Sequence, residues 1–258
     1  GTITYEDVTN VDAVGLITAR SGIEIGLAGV GGTITAVGII TAPHIKTGGT
    51  LNNAGLGKNV LAANTTGTNN VAVGKDALVH NTTGDYNTAV GQAALYTVTT
   101  GLRNVAVGRL AHADGTTGSY NVAVGGDSLR TATTADNNTA IGWGSLNEST
   151  AGNITAVGYQ SLKANTTGTA NVAVGYNALV ANTTGTRNTA VGYGALDANT
   201  TTNDNTAVGN MALSANTAAR NTAVGHNALA LNTTGGDNTA CGNNALYANT
   251  TGNQNSAV

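Results

Sequence analysis

The sequence predicts an all-β protein, a repetitive parallel β-roll or β-helix solenoid with coils of about 17 residues. The first observation is a glycine that closes an Ala-Val-Gly-like step and returns after 17 or, twice, 16 residues. It stands at Gly57, Gly74, Gly91, Gly108, Gly125, Gly142, Gly158, Gly175, Gly192, Gly209, Gly225 and Gly242. The second is composition. Phe is absent, 3% of residues are aromatic and 37 are Gly, which favours thin β structure over a large core.

Each unit can be numbered from the Asn that begins it, as at Asn188. Position 2 is Thr or Val in all but the first and last units, position 3 is almost always Ala, position 4 is an aliphatic residue or Cys241, and position 5 is Gly. Positions 8 and 9 are usually Ala-Leu or Ser-Leu, and positions 12 to 15 tend to Asn-Thr-Thr-Gly. This pattern predicts two short β segments separated by two turns, and Gly and β-branched residues exclude a helix.

Side-chain volume suggests which residues form the core of one coil. We expect positions 2 and 4 to face inward with the Leu of position 9, and Ala of position 3 to face outward. Cys241, in the position 4 slot, is then expected to be buried. The Ala stripe or the Leu stripe would pack against partner chains, and a homotrimer is the natural closed form of a fibrous rod.

Two regions are predicted. Residues 1–52 read as a β-rich connecting module, and residues 53–258 as a solenoid of twelve repeats of 16–17 residues plus a partial thirteenth. Pro43 and the pair Gly48-Gly49 mark the boundary. Because the chain opens without Met and stops within a unit, we expect it to be a segment of a longer polypeptide.

Bulk composition argues against several classes of partner. The net charge of −3 predicts no nucleic-acid surface. No apolar run reaches the ~18 residues of a membrane helix, so membrane insertion is not expected. A single cysteine excludes an intrachain disulfide.

No catalytic, cofactor or metal site is predicted, so the protein is not expected to be an enzyme. The four His residues occupy unrelated positions and no His-Glu-x-x-His spacing occurs. We interpret the acidic group Glu6, Asp7 and Asp12 as a solvated strand edge, and Gly26–Gly32 as a turn. His112, in the Leu slot of its unit, is interpreted as a local packing irregularity.

Position 6 provides the candidate binding site. Trp143, Tyr159, Tyr176 and Tyr193 occupy it in four consecutive units and are expected to stack ~4.8 Å apart. Such an aromatic file is a candidate contact for a host-surface glycan. The alternative is rigid packing of the rings on one another or across subunits. The repeated Thr-Thr pairs raise ice binding as another possibility, although turn chemistry explains them better.

Two stretches resemble known families. Asn-Thr-Ala-Val-Gly, at residues 188–192, is similar to the Asn-Ser-Val-Ala-Ile-Gly repeat of trimeric autotransporter adhesin heads, which are intertwined parallel β-rolls. The 17-residue form with Asn-Thr-Thr-Gly looks like repeats of phage tail fibres. Residues 5–23, from Tyr-Glu-Asp-Val-Thr-Asn to Ser-Gly-Ile, resemble a module of virion structural proteins of marine tailed phages.

The resemblance implies a structural shaft segment of a phage tail fibre that projects a receptor-binding tip. Its location would be the virion, outside the host cell, and its partners its own copies and other fibre or virion proteins. Two alternatives stay open: the head of a bacterial trimeric surface adhesin, and a sugar- or ice-binding β-solenoid.

Overall fold

A computed structural model describes residues 51–258, and the predicted module up to residue 50, with its acidic group, lies outside the described residues. The array belongs to a compact unit that spans Lys46–Val258. It forms one sheet of thirteen parallel strands in chain order, which is a β-solenoid of twelve turns. The strands are β1 Ala54–Leu56, β2 Val71–Val73, β3 Thr88–Val90, β4 Val105–Val107, β5 Val122–Val124, β6 Thr139–Ile141, β7 Thr155–Val157, β8 Val172–Val174, β9 Thr189–Val191, β10 Thr206–Val208, β11 Thr222–Val224, β12 Thr239–Cys241 and β13 Ser256–Ala257.

Each coil contains one strand, not the two β segments that the pattern predicted. The strand covers positions 2 to 4, and turns form the rest of the coil. The turns are nevertheless laddered: Asp76 N–H, at position 7, donates to Lys58 O of the coil before (2.8 Å), and Leu78 N–H, at position 9, donates to Ala94 O of the coil after (3.1 Å). Backbone groups therefore pair between coils without a second strand.

Equivalent residues pair with one another throughout the sheet. In β9 and β10, Thr189, Ala190 and Val191 lie opposite Thr206, Ala207 and Val208. The 16-residue coils keep this register because they shorten the turn: Asn138 Nδ2 donates to Ala151 O, 13 residues on, where other coils span 14. Strand pairing on both sides of this turn is unchanged.

The predicted orientation of the strands is wrong. Ala of position 3 is fully buried in every coil from Ala72 to Ala240, whereas the residues at positions 2 and 4 are half-buried or exposed. Inside each coil the Ala packs in one cluster with the Ala or Ser of position 8 and the Leu of position 9. A coil this thin has room for small side chains opposite one Leu, so the β-branched pair turns outward.

The Leu of position 9 is held in a left-handed backbone conformation, with φ between 49° and 54° in every coil that carries it. This region costs an ordinary residue roughly 1–2 kcal/mol. Complete burial of side chains such as Leu179 and Leu196 gains about 1.5–3 kcal/mol each. Burial therefore offsets the backbone cost. From Leu78 to Leu229 the Leu stripe is fully buried in its own chain, so the prediction that it packs against partner chains is wrong there.

Position 5 admits only glycine for two reasons. Its φ lies between 122° and 142° in all twelve coils, a region closed to side chains. A Cβ on Gly192 would also collide with the carbonyl oxygen of Gly209 in the next coil. The recurring glycine is thus the point where the chain leaves the strand and the coils approach most closely.

The Asn of position 1 links coils through its buried side chain. Asn188 Oδ1 accepts the backbone N–H of Asn205 (3.0 Å) in the next coil, and Asn188 Nδ2 donates to Thr202 O (2.8 Å) in its own turn. Ile154 takes this position in one coil and is also buried; its N–H still donates to Asn138 Oδ1 (3.1 Å). Satisfying a buried amide in this way avoids a penalty of roughly 1–3 kcal/mol per group.

A second Asn ladder runs along position 12 and is interrupted mid-array. Asn182 Nδ2 donates to Asn165 Oδ1 (2.7 Å), and Asn199 Nδ2 to Asn182 Oδ1 (3.0 Å). Four consecutive coils lack this Asn and carry Val98, Gly115, Ala132 and Ser149 instead. Since Val98 offers no donor, Oδ1 of Asn81 in the preceding coil is buried without a partner.

Candidate functional site: the outer sheet face and its two edges

The residues at positions 2 and 4 of all coils form what we call the outer face. Its more exposed members include Val174 and Val208 at 37% each and Leu56 at 61%. Cys241 belongs to this face and is exposed, so its predicted burial is wrong. The error has the same cause as the inverted strand, because position 4 points away from the core.

The outer face has no charged side chain over residues 54–258. It is built from Thr, Val and occasional Ala, Ser, Leu, Ile or Cys, in two files. Thirteen strands ~4.8 Å apart and three residues wide give a face of roughly 58 by 10 Å, or about 600 Å². Its position 4 file is aliphatic apart from Cys241, and its position 2 file is mostly Thr and Val. A patch of this size is at the upper end of what monomers expose, and such patches are often functional.

The aromatic file of Trp143, Tyr159, Tyr176 and Tyr193 forms one edge of this face, directly after the position 5 glycine. Successive ring centroids are 5.3, 5.2 and 5.3 Å apart, with interplanar angles of 17°, 10° and 7°. All four side chains are 42–54% exposed. The predicted stacking is thus present along the whole file.

Stacking occupies the ring faces. Both faces of Tyr159 and Tyr176 lie against a neighbouring ring. At the Trp143 end, a Cβ on Gly126 would lie 3.2 Å from Cδ1 of the indole, so that ring packs over the Gly126 backbone. Sugar binding to an aromatic ring uses the ring face. Along Trp143, Tyr159 and Tyr176 the file therefore exposes ring edges, whereas Tyr193, at the other end, is stacked on one face only.

The last position of each coil, just before the next Asn, forms the other edge. Arg103 lies between the rings of Tyr86 and Tyr120, with its guanidinium carbon 5.6 and 5.5 Å from their centroids. Arg103 Nη1 also donates to the Tyr120 hydroxyl (2.8 Å). These contacts combine cation–π attraction with a hydrogen bond.

Further along this edge the charges alternate. Arg187 donates to both carboxylate oxygens of Asp204 (2.6 and 3.0 Å), and Arg220 makes the same paired contact with Asp237 (2.6 and 2.9 Å). The hydrogen bond from Arg187 lowers the pKa of Asp204, and that from Arg220 lowers the pKa of Asp237. Both carboxylates are therefore ionised at neutral pH, and the edge carries a fixed charge pattern.

The Thr-Thr pairs lie in turns, as predicted. The first Thr of most pairs is used within the solenoid: Thr183 Oγ1 donates to Thr200 O (3.0 Å), and Thr166 Oγ1 to Thr183 O (3.0 Å). The second Thr, such as Thr184, is exposed. The flat array of strand-borne Thr is at position 2 of the outer face, which the sequence pattern had placed inside.

His112 takes the Leu slot and is fully buried. Its Nε2 lies 3.1 Å from Ala132 O, and its Nδ1 has no partner. A Cβ on Gly115 would collide with the imidazole ring, so the ring extends into the space that Asn fills at position 12 of other coils. The predicted packing irregularity is thus a paired exchange: a longer side chain with a ring replaces Leu at 112, and Gly replaces Asn at 115.

Acidification is expected to destabilise the array through His112. Burial lowers the pKa of His112 from 6.5 to about 4, so between these values the unfolded chain binds a proton that the folded chain excludes. Stability is retained above pH 6.5, falls from pH 6.5 to 4 and then levels off, with a total loss of about 3 kcal/mol. Urea unfolding of the wild type and of His112→Leu/Gly115→Asn at pH 7 and pH 4.5 measures this. The two proteins differ in titratable groups only at His112. An equal loss of stability at pH 4.5 in both would therefore contradict the role of His112.

Within residues 51–258 no three His, Cys, Asp or Glu residues are grouped to hold a metal ion, and no helix long and apolar enough to cross a membrane occurs there. Comparison with known proteins adds no relative: no protein-family model, curated protein or solved structure matches the chain. Its surfaces alone must therefore carry any assignment of function.

Proposed function

We propose that this chain is a structural shaft segment of a fibrous virion appendage, a phage tail fibre, and that three copies assemble through the outer face. The observation that carries the proposal is an uncharged face, with one aliphatic file and one Thr/Val file, that runs the whole length of the described array. The shaft would project a host-receptor-binding tip from the virion, in contact with its own copies and other fibre proteins. It performs no catalysis.

The dimensions of the face suit self-association. Its roughly 600 Å², extended by the two edges, is the area that one copy would bury against its two neighbours together, and it is close to the ~800 Å² that one partner buries in a standard protein interface. A three-residue strand is also narrow, so three such faces close around a common axis as a slender prism. The internal repeat presents a similar contact at every coil, and cyclic symmetry makes that contact three times around the axis, so even a weak contact sums along the rod.

The interior supports a mechanical role. Strand pairing ties every coil to the next, and in most coils the Asn of position 1 and the Thr of position 13 add side-chain hydrogen bonds. Since each coil contacts only its neighbours, stiffness and stability accumulate with coil number. A rod held by continuous ladders, with turns instead of long loops, is suited to bear load.

Light-scattering mass of purified Val191→Asp, beside the wild type, tests the assembly. We expect three chains for the wild type and one for the variant, because three carboxylates would meet around the axis. The circular dichroism of the variant should stay that of a folded solenoid, since Val191 is not in the core of its own chain. Thr201→Asp, at an exposed turn position, is the matched control and should remain trimeric.

A single-chain mass for the wild type would overturn the assembly proposal. The free outer face would then favour the array alternative, in which regular Thr and Val side chains on strands contact ordered water or ice. A trimer whose full-length gene encodes a downstream membrane-anchor barrel would favour the bacterial surface adhesin instead.

A further inference from the structure

The outer face cannot by itself determine how three copies align along the rod. It presents a similar Thr/Val pair at every coil, so sliding one copy by a coil preserves almost all of its contacts. Register is weakly specified wherever a β surface is uniform. A device that aligns the copies must therefore lie where the coils differ from one another.

The coils differ at the two edges of the face. At position 6, Lys58, Lys75, Gln92 and Arg109 precede Gly126 and the aromatic file, and Asn210, His226 and Asn243 follow. At the last position the side chains change from Asn to the Tyr86–Arg103–Tyr120 group, then to small or amide residues, then to the Arg–Asp series. Each edge thus has its own order of size and charge.

From this we infer that the aromatic file is an inter-chain contact that sets the register of the trimer, by packing its ring edges against the last-position edge of a neighbouring copy. The inference rests on the proposed homotrimer. Closing three narrow faces around an axis brings the position 6 edge of one copy to the last-position edge of the next. Cyclic symmetry along the rod places both at the same height.

The height of each contact follows from the rise of the coil. The rod rises by ~4.8 Å per coil. Position 6 is reached after roughly a third of a coil, so it lies roughly a third of that rise above the last position of the preceding coil. Tyr176 of one copy therefore lies between Ala170 and Arg187 of its neighbour. Ala170 lacks a side chain that would exclude the ring, and Arg187 offers a guanidinium that prefers an aromatic partner. Next along, Tyr159 lies between Asn153 and Ala170, where an amide can bond its hydroxyl.

Stacking orders the four aromatic side chains before assembly. Its rings are held parallel within 17° by one another, so their ordering entropy is already lost before assembly. Because both faces of Tyr159 and Tyr176 are covered, these two side chains have only ring edges and hydroxyls with which to contact a partner. At one height the proposed contact brings two positive charges together, Arg109 of one copy and Arg103 of its neighbour. Each is already paired within its own chain: Arg103 lies between two Tyr rings, and Arg109 lies 3.6 Å from Asp127.

Disulfide trapping tests the alignment. In a Cys241→Val background, Ala170→Cys/Tyr176→Cys is oxidised and run on a non-reducing gel. The two positions flank the extended strand β8 of their own chain, roughly 15–20 Å apart, beyond the ~7 Å limit between Cα atoms for a bridge. We therefore expect covalent trimers. Asn153→Cys/Tyr159→Cys is a second pair at a different height and should give the same product.

The register control is Asn69→Cys/Tyr176→Cys, which uses the same edge six coils away, about 29 Å along the rod. It should not cross-link. Light-scattering mass on each protein separates the two proposals. A trimer in which neither matched pair cross-links, or in which the control cross-links equally, overturns the register inference and leaves the assembly. A single-chain mass overturns both.

Discussion

Ala190→Asp is expected to unfold the coils around it, with a loss of about 3–5 kcal/mol. Ala190 has no exposed surface and lies between Ala173 and Ala207 of the neighbouring strands. A carboxylate there has no cation within the core and no room for water, so the charge must be buried unpaired or the coil must open. Urea unfolding followed by circular dichroism measures the loss.

Val191→Asp is the matched control for this change, because it places the same charge on the next residue of the same strand. Its side chain points to the outer face. A single chain of this variant should therefore unfold at nearly the same urea concentration as a dissociated chain of the wild type. Equal destabilisation of single chains by both variants would show that the two sides of β9 are equally buried, and would contradict the orientation described above.

Gly115→Asn and His112→Leu are expected to be far less harmful together than separately. With Gly115→Asn alone, the new amide side chain would collide with the imidazole, a case of overpacking that costs about 1–3 kcal/mol. With His112→Leu alone, the Asn slot of that coil would be left empty beside a core side chain, at a cost of similar size. Combined, the two changes restore the Leu and Asn of the other coils, and the new amide can donate to Gly118 O as Asn81 does to Gly84 O (3.1 Å).

The double-mutant cycle should therefore show a favourable coupling of about 2 kcal/mol or more at pH 7, measured by urea unfolding of all four proteins. Additive effects would mean that the His112 ring does not occupy the Asn slot. Ser161→Ala, three coils beyond His112, provides a control, because it removes a hydroxyl that donates to Gly158 O (3.2 Å). It lies outside that slot and should add to Gly115→Asn without coupling.

Much of the architecture could be predicted from the repeat. The spacing of glycines such as Gly175 and Gly192 predicted the solenoid, its coil length and the vertical alignment of like residues, all of which the structure shows. The stacking of Tyr159 on Tyr176 was predictable for the same reason, since a repeated position must stack on its own copies. The pairing of His112 with Gly115 could not be predicted from the repeat. Only the conformation of this turn brings the two residues, three positions apart, into contact.

The amino-acid sequence alone determined the period, the parallel register and the chemical identity of each file, because those depend only on which residues recur and how far apart. Only the tertiary structure decided which side of the strand forms the core. A Thr-Ala-Val strand alternates equally well in either orientation. The choice depends on the narrow space opposite the Leu of position 9, which accommodates Ala190 and excludes the β-branched pair. That choice leaves an apolar face on the surface, and with it the proposed function.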